Sequence, residues 1–413
     1  MKKIKYDLIV MGATGFTGKL VIEYLIQNYG VHNKQFSWAI AGRNQEKLND
    51  VKASFYNLDP HVKEIPTFIA DSHNSKLLDE MTSICRLVIS TVGPYLKYGL
   101  LLVESCVKNG TDYCDLTGEV PFIRQSIDLF HKKAKMNQCR IIHSCGFDSI
   151  PSDIGVLMLQ NDSIQKNDKP YGKIDLYVKS IGGGFSGGTI ESMINISRYI
   201  DSKPQLKNIL SNPFALNPKE HMKNSTHQSS LKTIKWSKKI NRWVCPFIMS
   251  GINTRIVRRS NAINNFFYGE GFKYSEVYSF KKGIKGLLSA FIMFLGLIIL
   301  KISISFSPFL WVLRKFYFPQ PGDGPSKKDR ENGFFKLVLV GYLNDSKNKS
   351  LIITGDRDPG YGATAKMITE SALSVLLEPE SIPQNYGVLT PATGIGMILV
   401  DRLKNKGIKF NLK

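Results

Sequence analysis

Through the first third of the chain, short apolar runs alternate with stretches whose apolar residues recur at helical spacing. Residues 7–11, 36–40, 68–70, 87–92 and 140–144 read as strands, and residues 19–29 between the first two carry a helical pattern. Strands that alternate with helices predict βαβ units and a parallel sheet. From Lys173 the pattern changes. Ile174, Leu176 and Val178 alternate with Asp175, Tyr177 and Lys179, the period of a strand with one wet face. Further strands are predicted at 275–280, 335–343 and 350–354, so the second half is expected to carry a mainly antiparallel sheet. After the turn Asp358-Pro359-Gly360-Tyr361-Gly362 a helix is predicted with Ile368, Ala372, Val375 and Leu376 on one face. The predicted fold class is α/β: a doubly wound parallel sheet over 1–150, then a second α/β domain over 151–389 with a mainly antiparallel sheet.

The first strand runs straight into Gly12-Ala13-Thr14-Gly15-Phe16-Thr17-Gly18 and then into the helix. A dinucleotide pyrophosphate needs that order. Gly12 allows the tight turn, Gly15 lets backbone N–H groups approach the phosphates, and Gly18 lets the helix pack close to the strand. The helix N-terminus adds unpaired donors and the positive end of its dipole. Gly12, Thr14, Gly15, Phe16, Thr17 and Gly18 are therefore candidate cofactor residues. The second strand ends in Ala41-Gly42-Arg43, with no carboxylate where NAD enzymes hold the ribose 2′-hydroxyl. Arg43 offers a guanidinium suited to a 2′-phosphate, so NADP(H) is expected in preference to NAD(H). Ligands of open parallel sheets lie beyond the carboxyl ends of the strands. That places Asp71 toward the adenine, unless it caps the next helix, and Thr91, Val92, Gly93 and Pro94 beside the ribose and nicotinamide.

Composition changes the picture in three places. The six cysteines, at 85, 106, 114, 139, 145 and 245, show neither C-x-x-C nor paired Cys/His spacing, so neither a metal site nor a disulfide framework is expected. Reduced thiols and a cytosol-facing protein follow, and the apolar run after Met1-Lys2-Lys3 is too short for a secretory signal. The formal net charge is +21, which calls for an acidic partner. The lysines are scattered rather than gathered into an aromatic-lined groove, which argues against specific nucleic-acid binding. Residues 203–243, polar and rich in Lys, Asn and Ser, read as a mobile insertion. Residues 286–300, GLLSAFIMFLGLIIL, carry no charge and are flanked by Lys281, Lys282, Lys285 and Lys301. That run is short of the roughly 20 residues a membrane span needs, and reads as a buried, re-entrant or interfacial segment. With a second limb at 306–311, a segment over 286–315 is expected to attach the protein to a membrane or lipid-droplet surface, its lysines meeting anionic head groups. The alternative is a buried helix of the second domain or of a homodimer interface.

The motifs GATGFTGKLV at Gly12, AGR at Ala41, VGPYLKYG at Val92, DYCDLTGE at Asp112, GFDSIPSD at Gly146, FSGGTIES at Phe185, GDGPS at Gly322, DPGYGATAKM at Asp358 and LTPATGIG at Leu389 span the chain. In them the sequence resembles the saccharopine dehydrogenase-like oxidoreductases, a family that includes the trans-acting enoyl reductases of mycobacteria. The resemblance implies a Rossmann domain, a following substrate domain, and a C-terminal helix at about 390–405 packing back on the first domain. It also implies lipid chemistry, since the bacterial relatives reduce an enoyl double bond during complex-lipid synthesis and animal relatives associate with lipid droplets. Hydride transfer needs an acid to protonate the second atom. Tyr95 and Asp148 are the candidate acids, while His143 reads as a satisfied buried histidine and Asp115 and Glu119 as fold-fixing carboxylates. The expected function is an NAD(P)H-dependent reductase acting on a lipid or glycolipid precursor. A saccharopine-type C–N dehydrogenase, which would need paired arginines, and a non-catalytic NADPH-binding lipid-droplet protein remain the alternatives.

Overall fold

A computed structural model describes residues 3–182, 187–202, 206–222, 228, 230–305, 324–344 and 346–413. The start of the motif at Phe185, part of that at Gly322, and the limb expected at 306–311 lie outside the described residues. The chain forms two compact units, residues 1–150 with 322–324 and 360–406, and residues 151–321 with 325–359 and 407–413. The first unit takes in the C-terminal helix expected to join it and extends back to Gly360.

In the first unit seven strands form one sheet: β1 (Tyr6–Met11), β2 (Trp38–Gly42), β3 (Thr67–Ile69), β4 (Cys85–Ser90), β5 (Asp112–Asp115), β6 (Arg140–Ile142) and a late strand, Gly387–Leu389. The late strand lies at one edge beside β6, and the order continues β5-β4-β1-β2-β3 with every pair parallel. β1 is central and nearly all buried, as its unbroken run of Leu8, Ile9, Val10 and Met11 requires. Hydrophobic patterning gives no sign of β5, which reads Asp-Tyr-Cys-Asp. Its closing Asp115 is fully buried and held by hydrogen bonds instead of by apolar contact.

The helix Gly362–Leu377 departs from its one-faced pattern, because residues on all sides of it are buried. It packs on the helix Phe16–Tyr29 and on Ile398–Asn405. Thr369 Oγ1 and Ser371 Oγ are buried in it without a hydrogen-bond partner among the described residues, whereas its carboxylate is fully engaged. Glu370 accepts from Tyr24 Oη at 2.7 Å, Tyr29 Oη at 2.8 Å and Arg402 Nε at 2.8 Å. Burial, together with that carboxylate, drives the Tyr24 and Tyr29 hydroxyls far above their ordinary pKa.

The second unit holds another seven-stranded sheet, built from β7 (Lys173–Gly182), β8 (Lys235–Ser237), β9 (Arg242–Pro246), β10 (Lys273–Phe280), β11 (Phe334–Leu343), β12 (Ser346–Gly355) and, numbering on past the late strand of the first sheet (β13), β14 (Lys409–Leu412). Its order is β14-β12-β11-β7-β10-β9-β8, with only β7 and β10 parallel. The expected wet face of β7 is closed. Asp175 and Tyr177 are buried, Ser275 Oγ donating to Asp175 at 2.6 Å and Tyr177 Oη lying 3.2 Å from Tyr342 Oη.

Within the described part of 203–243, the expected mobile insertion, Phe214, Ala215 and Leu216 are buried, while Lys207, Asn208, Lys219 and Glu220 are exposed. Arginines of the helix Ser250–Ile263 tie its carbonyls down: the half-buried Arg255 Nε donates to Asn212 O at 3.0 Å, and the buried Arg258 donates to Pro213 O at 3.0 Å and Arg259 to Leu216 O at 2.5 Å. Burial lowers Arg255 and Arg258 to a pKa of about 10.

The lysine-flanked apolar run lies in one continuous helix, Ile284–Ser305, which is 22 residues long. By length and composition it is long enough to cross a membrane, where the apolar run alone looked too short. It is not a core helix. Gly286, Ala290 and Ser303 are buried, and the helix packs against β9, β10 and the helix Gly187–Ser202. Leu288, Phe291, Ile292, Leu295, Ile299 and Ile302 are exposed.

Candidate active site

The glycine turn closes through backbone geometry. Gly12 has φ +89°, and Gly15 N donates to Gly12 O at 3.0 Å. A Cβ on Gly12 would lie 2.7 Å from Thr91 Oγ1, and one on Gly18 only 2.2 Å from Gly12 O. The helix Phe16–Tyr29 begins at Gly15 with no side-chain cap, so its first turn presents backbone donors and no competing side chain. That is the cradle an anionic pyrophosphate fits. Thr14 is half-buried, and the Phe16 ring meets Tyr361 edge-on at 4.6 Å.

β2 ends at Gly42, and Arg43 follows it, exposed and without a hydrogen bond or ion pair among the described residues. Asn44 behind it caps the next helix by accepting from Lys47 N at 2.9 Å. The cap and the guanidinium are thus separate residues. Asp71 follows the end of β3 by two positions, and its carboxylate accepts from His73 N at 2.8 Å. The following helix is capped by Asn74 instead, which accepts from Leu77 N at 3.2 Å.

Beyond β4, Thr91 Oγ1 donates toward Met11 O and Gly12 O, 3.2 Å from each, fastening this segment to the glycine turn. Val92 borders the same turn, since its Cγ2 would lie 2.8 Å from a Cβ on Gly12. Gly93 and Pro94 are joined by a cis peptide. The short helix Tyr95–Tyr98 starts there with its orphan donors satisfied by a buried carboxylate: Glu119 accepts from Tyr95 N at 2.9 Å and Leu96 N at 2.8 Å. The Tyr95 hydroxyl is engaged on both sides, donating to Ser90 O at 3.1 Å and accepting from Leu116 N at 3.3 Å. Burial and the nearby Asp115 carboxylate push its pKa well up. This geometry suits a residue that sets the shape of the turn.

At the end of β6, His143 is fully buried, with Nδ1 2.7 Å from Asp115 Oδ2 and Nε2 2.9 Å from Ser126 Oγ. The Ser-His-Asp connectivity invites comparison with a nucleophilic triad, but all three groups have zero exposure, so no substrate reaches the serine. The set fixes the β5–β6 end of the sheet, as expected of His143 and Asp115. Asp148 stands half-buried in the turn before the helix Ile150–Asn167, where the neighbouring Phe147 N donates to Thr364 Oγ1 at 3.0 Å. Sequence reasoning assigned Glu119 to the fold but missed its grip on the Tyr95 turn, because the two lie in different motifs.

All six cysteines are free and buried. The Cys114 thiol, hydrogen-bonded to Cys145 and buried, is raised well above its usual pKa, and burial pushes Cys245 up to about 12. None has the exposure of a reactive thiol.

Residues 8–142 match the family described as the saccharopine dehydrogenase NADP binding domain. A Mycobacterium tuberculosis protein assigned by name, provisionally, to the trans-acting enoyl reductases is 34% identical over 429 residues, taking in 98% of this chain and 97% of its own. A trans-acting enoyl reductase of Mycobacterium bovis is 33% identical over 422 residues, with the same coverage. The apo saccharopine dehydrogenase (L-Glu forming) of Saccharomyces cerevisiae aligns over 99% of this chain and 100% of its own, at 12% identity and a TM-score of 0.47. The glycine cradle, the parallel sheet behind it and the full-length likeness converge: the chain is an NADP-dependent oxidoreductase and belongs to the saccharopine dehydrogenase-like family together with the trans-acting enoyl reductases.

Proposed function

We propose that this oxidoreductase reduces an enoyl-type double bond of a lipid or glycolipid precursor, working at a membrane or lipid-droplet surface on the cytosolic side. One observation carries the surface assignment: the helix Ile284–Ser305 rests one side on its own unit and leaves an apolar side exposed between Lys281, Lys282, Lys285 and Lys301. Water is a costly neighbour for such a face, and lysines at both ends suit anionic head groups. A helix that stays packed on its unit fits an in-plane attachment better than a crossing. The names of the relatives supply the reaction class.

In this reading the backbone of Gly12–Gly18 holds the pyrophosphate and Arg43 the 2′-phosphate. Asp71 lies toward the adenine, and Thr91, Val92, Gly93 and Pro94 border the ribose and nicotinamide. Bound NADPH supplies the hydride. The second alkene carbon then needs a proton, and Asp148 and Tyr95 are the candidates to deliver it, the Tyr95 hydroxyl donating to Ser90 O and accepting from Leu116 N. Tyr95, locked by Glu119, shapes the nicotinamide side. A saccharopine-type C–N dehydrogenase is less favoured, since Arg124 is paired with Asp128 at 2.8 Å and Arg140 stacks on Tyr386 at 4.4 Å, away from duty as a carboxylate clamp.

The test is NADPH oxidation by the purified protein with enoyl-lipid acceptors, with and without anionic vesicles. Turnover enhanced on vesicles is expected. Tight NADPH binding with no turnover on any acceptor would instead favour a non-catalytic, cofactor-sensing protein. Deleting residues 287–300, or placing serine at Leu288, Phe291, Ile292 and Leu295, should release the protein from the membrane fraction. Unchanged pelleting of both variants would refute the surface assignment.

A further inference from the structure

Sequence spacing gave no reason to expect a metal, yet the fold brings His32, His61 and Glu64 together on the surface of the first unit. His32 follows the helix Phe16–Tyr29 and precedes β2, while His61 and Glu64 lie in the 3-10 turn Pro60–Glu64 that precedes β3. Both are connections into the amino ends of parallel strands, the opposite end of the sheet from the glycine cradle. His32 Nε2 lies 3.1 Å from Glu64 Oε2, and His61 Nδ1 lies 3.0 Å from Glu64 Oε1. The two imidazoles meet edge-on, 4.9 Å between centroids. One ligand atom from each residue falls within 4.8 Å of the others.

We propose that these three residues form a divalent-cation site for a late first-row metal such as zinc. Two imidazole nitrogens and a carboxylate oxygen are the donor set of three-ligand zinc sites that keep a fourth position for water. Ligands bound tetrahedrally at about 2.0–2.1 Å stand about 3.3 Å apart. Each imidazole nitrogen lies 3.0–3.1 Å from a different oxygen of Glu64, and one ligand atom from each residue falls within 4.8 Å of the others, so exposed side-chain rotations would draw the three onto one cation. The backbones beneath are set in advance. Asn33 Oδ1 accepts from Gln35 N and Phe36 N at 3.1 and 2.9 Å, and Asp59 Oδ1 caps the turn at His61 N at 2.9 Å. Lys52 Nζ donates to the carbonyl of Lys63 at 3.1 Å, bracing the same turn. Bound metal would cross-link the two connections and leave the cofactor end of the sheet untouched. All three side chains are about half exposed, so the ion has free entry and an open coordination position.

The full-length protein is titrated with zinc against a chromogenic competitor, and with cobalt(II) to read the visible d–d bands of a tetrahedral site. One zinc per chain is expected, with His32→Ala, His61→Ala and Glu64→Gln each weakening binding at least tenfold and abolishing the cobalt bands. NADPH affinity, unchanged in these variants, shows that they fold. Absence of saturable zinc binding overturns the proposal. So does zinc binding that survives all three substitutions, which would move the metal to the cysteines.

Discussion

A methyl group on Gly18 would sit 2.2 Å from the carbonyl oxygen of Gly12, so the third glycine of the turn is required by contact with the first. The obstructing atom is backbone and cannot rotate away. Gly18→Ala should therefore push the helix Phe16–Tyr29 off β1, destabilising the first unit by about 1–3 kcal/mol and weakening NADPH together with it. Thermal denaturation and a fluorescence titration with NADPH check this, and an unchanged melting temperature would contradict the contact.

Arg43 acts in a different way, because it is exposed and engaged with nothing else in the described protein. Arg43→Ala should leave stability unchanged and weaken NADPH by about 1.5–3 kcal/mol, the worth of a charged hydrogen bond, while NADH binding hardly moves. Equal loss for both cofactors would remove the 2′-phosphate role.

The parallel sheet and the NADP-binding domain were legible in advance, and the reasons are local. A glycine needed for a tight turn and a charged residue at a strand end are written in consecutive positions. The errors arose where polar residues are satisfied by distant partners. Asp115 closes a strand that patterning does not reveal, Asp175 and Tyr177 lie on a face expected to be wet, and Glu370 sits in a helix buried all round. Asp175, Tyr177 and Glu370 look solvated in sequence, yet each is held by side chains far away along the chain. His32 and His61 were invisible as a pair for the same reason.

The Glu370–Arg402 pair tests that point directly. Arg402 Nε donates to Glu370 at 2.8 Å and its Nη1 to Glu378 at 2.7 Å. Arg402→Met should strand a fully buried carboxylate and cost about 3–5 kcal/mol, read as a large fall in melting temperature. A Glu370→Gln, Arg402→Met double variant should recover part of the loss, since no buried charge is then left alone.

Glu276 gives the second unit a pH signature. Its carboxylate is buried among Ser152 Oγ, Tyr274 Oη and Asn253 Nδ2, at 2.6, 2.7 and 3.0 Å. Burial raises its pKa, opposed by those hydrogen bonds and by Arg258. A raised carboxyl pKa means that the folded state holds the proton more tightly than the unfolded chain. The resulting stabilisation is full below the unfolded pKa of about 4.3 and is lost as pH rises through the folded value. The melting temperature of wild type relative to Glu276→Gln should accordingly be highest near pH 4 and decline toward neutrality. A difference independent of pH would show that Glu276 does not titrate in this way.

The route of the chain has a consequence for its biosynthesis. β13 completes the edge of the first sheet beside β6, and β14 completes the edge of the second beside β12, although the two strands are close neighbours in sequence. While a ribosome is still making residues 387–412, both sheets are therefore unfinished, with the unpaired backbone of β6 and β12 open to other strands. A pause in translation at that stage exposes two sticky edges at once. A chain not yet extended past residue 387 thus carries an open edge on each of its two sheets.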